Sequence, residues 1–191
     1  YAEQGGQTFD TATICSASGA EFQVEDAQKY SGFVLHIGAV SGGGALKVGD
    51  DVTLKVDYQR RALVAKNHTA THILNYALRQ VLGGKVDQKG SLVDEGKLRF
   101  DFSHGRPVEV DEMKRVEEIC NQQIQKALQI HYRDVELNKA QQINGLRAVF
   151  GEAYPDPVRV VSVGPTIDNL LSDGKTPWGM QHSVEFCGGT H

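Results

Sequence analysis

A chain of 191 residues, 40% hydrophobic and 23% charged, has the makeup of an ordinary globular protein and the length for one large domain or two small ones. Its formal net charge of −4 argues against a protein that coats nucleic acid non-specifically, while leaving room for a local basic patch. No apolar run approaches the roughly 18 residues of a membrane span, and three cysteines, Cys15, Cys120 and Cys187, are too sparse for a disulfide scaffold.

The opening Tyr1-Ala2-Glu3-Gln4-Gly5-Gly6 has no basic region followed by an apolar one, so a soluble protein in a reducing compartment is expected. With no initiator Met and His191 as the last residue, a fragment of a longer protein is expected too. Residues 1 to about 62 read as short strands broken by glycine: Glu21-Phe22-Gln23-Val24, Phe33-Val34-Leu35-His36-Ile37 and Val52-Thr53-Leu54-Lys55-Val56. A small β-barrel or β-sandwich is the natural closure. Gly42-Gly43-Gly44 lacks the Gly-x-x-x-x-Gly-Lys-Ser/Thr pattern of a phosphate cradle and reads as a hairpin turn.

At Asn67 the pattern becomes helical, with Ile73, Leu74, Ala77, Leu78, Val81 and Leu82 on one face, Asn67 as N-cap and Gly83-Gly84 as terminator. That start places His68 and His72 in the first turns, where the positive helix end would keep both imidazoles neutral. Lys97 to Phe102 alternate as a half-buried strand, and a second helix is predicted at about 111 to 130 with Asp111 as cap. A short helix near 138 to 144 and strands at 148–150, 158–163 and 183–186 follow. The fold class predicted is α+β, an N-terminal small β-barrel over 1–62, then over 63–191 a mostly antiparallel sheet packed with two main helices.

Two pairs of residues carry the chemistry. His68 and His72 in Asn67-His68-Thr69-Ala70-Thr71-His72 are matched by Cys187 and His191 in Cys187-Gly188-Gly189-Thr190-His191. Imidazole and thiolate are donors Zn²⁺ prefers, and i,i+4 spacing points both imidazoles off one helix face. The pairs lie more than a hundred residues apart, unlike a local zinc finger, so the site would staple distant parts of the fold. It could be closed and structural, or catalytic with an exchangeable position. His-Thr-Ala-Thr-His has no Glu after its first His, so the general base of a zinc protease is missing and peptide hydrolysis is disfavoured. An activated ester is an easier substrate. Thr69, Thr71 and Thr190 could orient water or judge a small side chain, or serve only as capping and solvent hydroxyls. Gln88 is either a bidentate amide or part of a turn. Lys66, Arg79, Lys85, Lys89, Lys97 and Arg99 either steer a phosphate backbone or form a solvated face.

At these motifs, and at Gln88-Lys89-Gly90-Ser91-Leu92-Val93, Leu98-Arg99-Phe100-Asp101-Phe102-Ser103-His104 and the opening Tyr1 to Gln7, the chain resembles the editing domain of alanyl-tRNA synthetase. Tyr154-Pro155-Asp156-Pro157-Val158-Arg159-Val160-Val161 is similar to the eukaryotic version. The zinc motifs are shared more loosely with threonyl-tRNA synthetase and free-standing alanyl-tRNA editing proteins. The resemblance covers essentially the whole chain. It implies a zinc-dependent deacylase that releases Ser or Gly from mischarged alanine tRNA, in the cytoplasm or as a mitochondrial form. Residues 63–191 would be the zinc-binding editing core, short at its C-terminal end. His68, His72, Cys187 and His191 would bind zinc, and Thr71 and Gln88 would line the amino-acid pocket. No general base is assigned: water on zinc or the terminal ribose hydroxyl of the tRNA is expected in that role rather than a protein carboxylate. Alanine tRNA is the partner implied, no membrane is, and ATP belongs to the parent enzyme alone. The alternatives are a non-catalytic structural-zinc module that holds tRNA and a free-standing editing factor.

Overall fold

The computed structural model describes residues 1–149, 152–172 and 177–191. It is α+β with antiparallel sheets, as the patterning predicts, and its contacts divide it into two compact units. The first comprises Tyr1–His68, Leu92–Leu98 and Thr190; the second comprises Thr69–Ser91, Arg99–Gly189 and His191.

In the first unit, strands β1 (Ala12–Ser16), β2 (Glu21–Tyr30), β3 (Phe33–Ser41) and β4 (Val52–Val56) form a sheet of order β3-β2-β1-β4. Strands β2 and β3 are joined at Ser31 (φ 46°) and Gly32 (φ 88°), two successive left-handed residues of the kind that matches a two-residue hairpin to strand twist. Val24 and Ala27 of β2 pack with Ala2, Phe9, Ala12, Ile14 and Phe22 into a small core, whereas β3 is exposed along its whole length. Gly42-Gly43-Gly44 is not the hairpin turn that its composition suggests. It leaves β3 at one sheet edge, and the chain reaches β4 at the other. Small residues suit it because a Cβ at Gly44 would stand 2.7 Å from the Ala20 nitrogen.

Helix α1 (Tyr58–Leu82) begins nine residues before the expected start at Asn67. Asp57 accepts the Arg60 N–H at 3.0 Å, so the first-turn donor is satisfied there. Asn67 instead donates its side-chain amide to the Asp94 carbonyl. The extra two turns are held by polar anchors rather than by an apolar stripe: Arg61 binds Asp10 and Arg60 binds the Phe9 carbonyl. A search for apolar periodicity passes over such a segment.

In the second unit, Leu74, Ala77, Leu78, Val81 and Leu82 of α1 pack with Val86, Phe100, Phe102 and, from α2 (Val110–Gln125), Val116, Ile119 and Cys120. Two strands, β5 (Gln88–Val93) and β6 (Leu98–Phe102), pair with each other, Leu92, Val93 and Leu98 being counted in the first unit. Helix α2 is capped two residues earlier than expected, by Glu109 in a reciprocal capping box with Glu112. It ends short of 130 because Ala127 adopts φ 47°, which breaks the helix before β7 (Ile130–Val135). Strand β7 pairs with β8 (Val158–Val163), and β8 with β9 (Ser183–Phe186), all antiparallel. Short helices α3 (Leu137–Ala140), α4 (Ile167–Ser172) and α5 (Trp178–Gln181) complete the unit. Val135, Ala140, Val158, Val160, Leu170 and Val184 form its core. Ala148 and Val149 are not in a strand, and Phe150, the last residue of the strand expected there, lies outside the described residues.

Candidate metal centre

His68 and His72 stand one turn apart on α1, both buried at 6% and 4% exposure. The second pair hangs from the end of β9. Cys187 still bonds the sheet, its N–H donating to the Arg159 carbonyl at 3.2 Å, and the chain then turns through Gly188 and Gly189. The Gly189 N–H donates to the Cys187 sulfur at 3.3 Å, and His191 Nε2 comes to 3.5 Å from that sulfur. One donor atom from each of His68, His72, Cys187 and His191 can be chosen so that all lie within 4.8 Å of one another. Zinc bonds of about 2.0–2.3 Å at tetrahedral angles require donors roughly 3.3–3.8 Å apart, so small side-chain rotations would close this set on one ion. Three imidazoles and one thiol are also the donor chemistry that Zn²⁺ takes.

The helix-end effect expected for the imidazoles does not apply, since His68 and His72 lie in the middle of α1. His72 is kept neutral by burial, which lowers its pKa to about 4. Burial likewise pushes the Cys187 thiol up to about 11, against the opposing pull of the Gly189 N–H. A metal cation reverses that balance, because a coordinating thiol gives up its proton.

Glu185 is the residue the sequence search missed. It is 8% exposed, and its Oε2 lies 3.8 Å from His72 Nε2. Burial raises its pKa to about 7, opposed by hydrogen bonds from Asn75 (2.9 Å) and Ser183 (3.4 Å) and by the Arg147 and Arg79 charges. With His72 near 4 and Glu185 near 7, both are neutral over most of the interval between, so their proximity there is a polar contact rather than an ion pair. The signal was present: alternation along β9 sends Val184 and Phe186 to the apolar core and Ser183 and Glu185 to the other face.

Gln7 was also missed, although it is completely buried; its Oε1 lies 2.7 Å from His68 Nδ1 and accepts the Thr190 N–H at 2.9 Å. Thr71 is buried on α1 next to His72, and the Thr69 hydroxyl lies 3.2 Å from His191 Nδ1. Gln88 opens β5 rather than lying in a loop, and its amide donates to the Ser91 hydroxyl at 3.2 Å. Among the basic residues, Arg79 donates to the Gly84 carbonyl and lies 3.9 Å from Asp87, while Arg99 pairs with Asp101. These two are engaged within the fold.

The family model for class II (A) tRNA synthetases matches residues 1–60. Over all 191 residues the chain is 54% identical to the mitochondrial alanine–tRNA ligase of Saccharomyces cerevisiae, of which it covers 19%. It is 53% identical to the alanine–tRNA ligase of Candida albicans, covering 20% of it. A bacterial alanine–tRNA ligase, from Rhodopseudomonas palustris, is 44% identical over 192 residues, and 21% of it is covered. The chain thus spans about one fifth of the length of the curated relatives it matches. From its first residue to its last, it is similar to a segment of the alanine–tRNA ligases.

Proposed function

We propose that this chain is the hydrolytic editing part of an alanine–tRNA ligase, releasing Ser or Gly from mischarged alanine tRNA with zinc held by His68, His72, Cys187 and His191. The observation that carries the reading is the convergence of those four donors in a chain that matches alanine–tRNA ligases throughout. An activation site built for alanine rejects smaller glycine and hydroxylated serine poorly, so a second, hydrolytic sieve answers a physical need. Zinc, when bound, supplies Lewis acidity that polarises an ester carbonyl.

The chain's own residues would do the rest. Thr71 and Gln88 offer hydroxyl and amide groups that can pair with the hydroxyl of a seryl group, a partner alanine lacks. The carboxyl of Glu185, buried beside His72, can hold a proton at its oxygen close to the ligands. The test is the release of serine from Ser-tRNA(Ala) by the natural-length protein containing this chain, with Ala-tRNA(Ala) as control. Zinc-dependent serine release that is lost in His72→Ala is the expected result. Equal, zinc-independent lifetimes of the two esters would refute it. Four protein donors can also fill a tetrahedral metal, which favours a structural-zinc module as the second reading. That reading prevails if chelation unfolds the protein while Gln88→Ala leaves tRNA binding and ester lifetimes unchanged.

A further inference from the structure

We propose that Gln7 is a positioning residue for the metal centre: its side-chain oxygen fixes His68 as the Nδ1–H tautomer, so that Nε2 is presented to the ion. This inference rests on the zinc reading above. The Thr190 backbone N–H can only donate, and it meets the Gln7 amide at 2.9 Å, with the Thr190 hydroxyl adding a second donor at 3.2 Å. The atom they meet must therefore be the oxygen. Rotating the amide by half a turn would bring its NH₂ against a backbone N–H, donor against donor.

His68 Nδ1 lies 2.7 Å from that same oxygen, and a nitrogen facing an acceptor must carry the hydrogen. In a neutral imidazole the lone pair is then on Nε2. One oxygen thus sets the tautomer and ring orientation of a ligand from α1 and also anchors Thr190, which lies between Cys187 and His191.

The opposite end of the amide supports the assignment. Gln7 Nε2 is buried with no hydrogen-bond partner among the described residues. A fully buried amide that leaves its own NH₂ unsatisfied needs an explanation, and the contacts of its oxygen supply one. Its backbone is held firmly enough for the task. Gly5 and Gly6, at φ 59° and 82°, turn the chain so that Gln4 and Gln7 bond each other, while Gly6 and Thr8 bond Val93 of β5. A neutral acceptor also adds no charge to this buried position, as an ionised carboxylate would.

Nitrogen-15 spectra of the histidines in metal-free protein read the tautomer directly, and chelator competition with Zn²⁺ alone reads affinity. In wild type, His68 is expected to carry its hydrogen on Nδ1. Gln7→Met, which keeps length but removes the acceptor, should shift it toward Nε2–H and weaken zinc binding by about 10–100-fold. Gln7→Glu, which restores an acceptor oxygen, should recover both. A merely structural role would lower the melting temperature of metal-free protein and leave the tautomer unmoved. The proposal is overturned if wild-type His68 carries its hydrogen on Nε2, or if Gln7→Met changes neither tautomer nor affinity. Should Gln7→Met fail to fold, Gln7→Asn draws the oxygen back by one methylene and gives the same comparison. A wild-type protein that takes up no zinc refutes the zinc reading, and the tautomer comparison still decides whether Gln7 sets His68.

Discussion

At the scale of single residues, the ligand thiol and its neighbours define measurable events. Because burial holds the Cys187 thiol near pKa 11, metal-free protein at pH 7.5 carries that proton, and zinc binding must expel it. Calorimetry in two buffers of different ionisation enthalpy should register about one proton released per zinc, and Cys187→Ala should abolish that release. Removing the donor to a buried carboxyl is a second case. Asn75→Ala leaves Glu185 without its 2.9 Å partner and should cost about 1–3 kcal/mol in denaturant unfolding of the metal-free protein. The four donors were legible in the sequence because two pairs of equal spacing are visible without any fold. Gln7 was not, since it meets His68 only in space, and the alternation along β9 marks the face that Glu185 takes but not its meeting with His72. No spacing rule encodes such a meeting.

For secondary-structure elements, the informative case is α1. Its second half was plain from apolar periodicity, whereas its first two turns are fixed by Asp57, Arg60 and Arg61 through polar contacts that sequence patterning does not score. The structure makes a discriminating prediction. Asp57→Ala removes the N-cap and should destabilise the protein by about 1 kcal/mol, read from the urea midpoint. If the helix began at Asn67, Asp57→Ala would cost little. Strands β2, β3, β4, β6, β8 and β9 were anticipated in whole or part, but β1, β5 and β7 were not. Strand β1 (Ala-Thr-Ile-Cys-Ser) is small and half-buried, with a weak alternation, and β7 (Ile-His-Tyr-Arg-Asp-Val) follows α2 so closely that its first residue, Ile130, falls at the end of the expected helix. Both strands draw their definition from partners on either side or across the sheet.

Across the whole molecule, acid stability follows from a partly buried ion pair. Burial alone would raise the Asp10 pKa, while the hydrogen bond and charge of Arg61 pull it down, and Asp10 stands below its ordinary 3.8. A carboxyl depressed on folding contributes stability that is present above the unfolded pKa and lost as pH falls through the folded one. Asp10→Asn should therefore be less stable than wild type at pH 7, with the gap narrowing only below about pH 3.8 in urea titrations. The spacing of the ligands adds a consequence in time. His72 and Cys187 are separated by more than a hundred residues, so closing that loop must precede any four-point grip on an ion. A nascent chain that has displayed only the histidine pair has half a chelate. If zinc is held by these four donors, its full-strength capture would have to wait until β9 has docked beside β8.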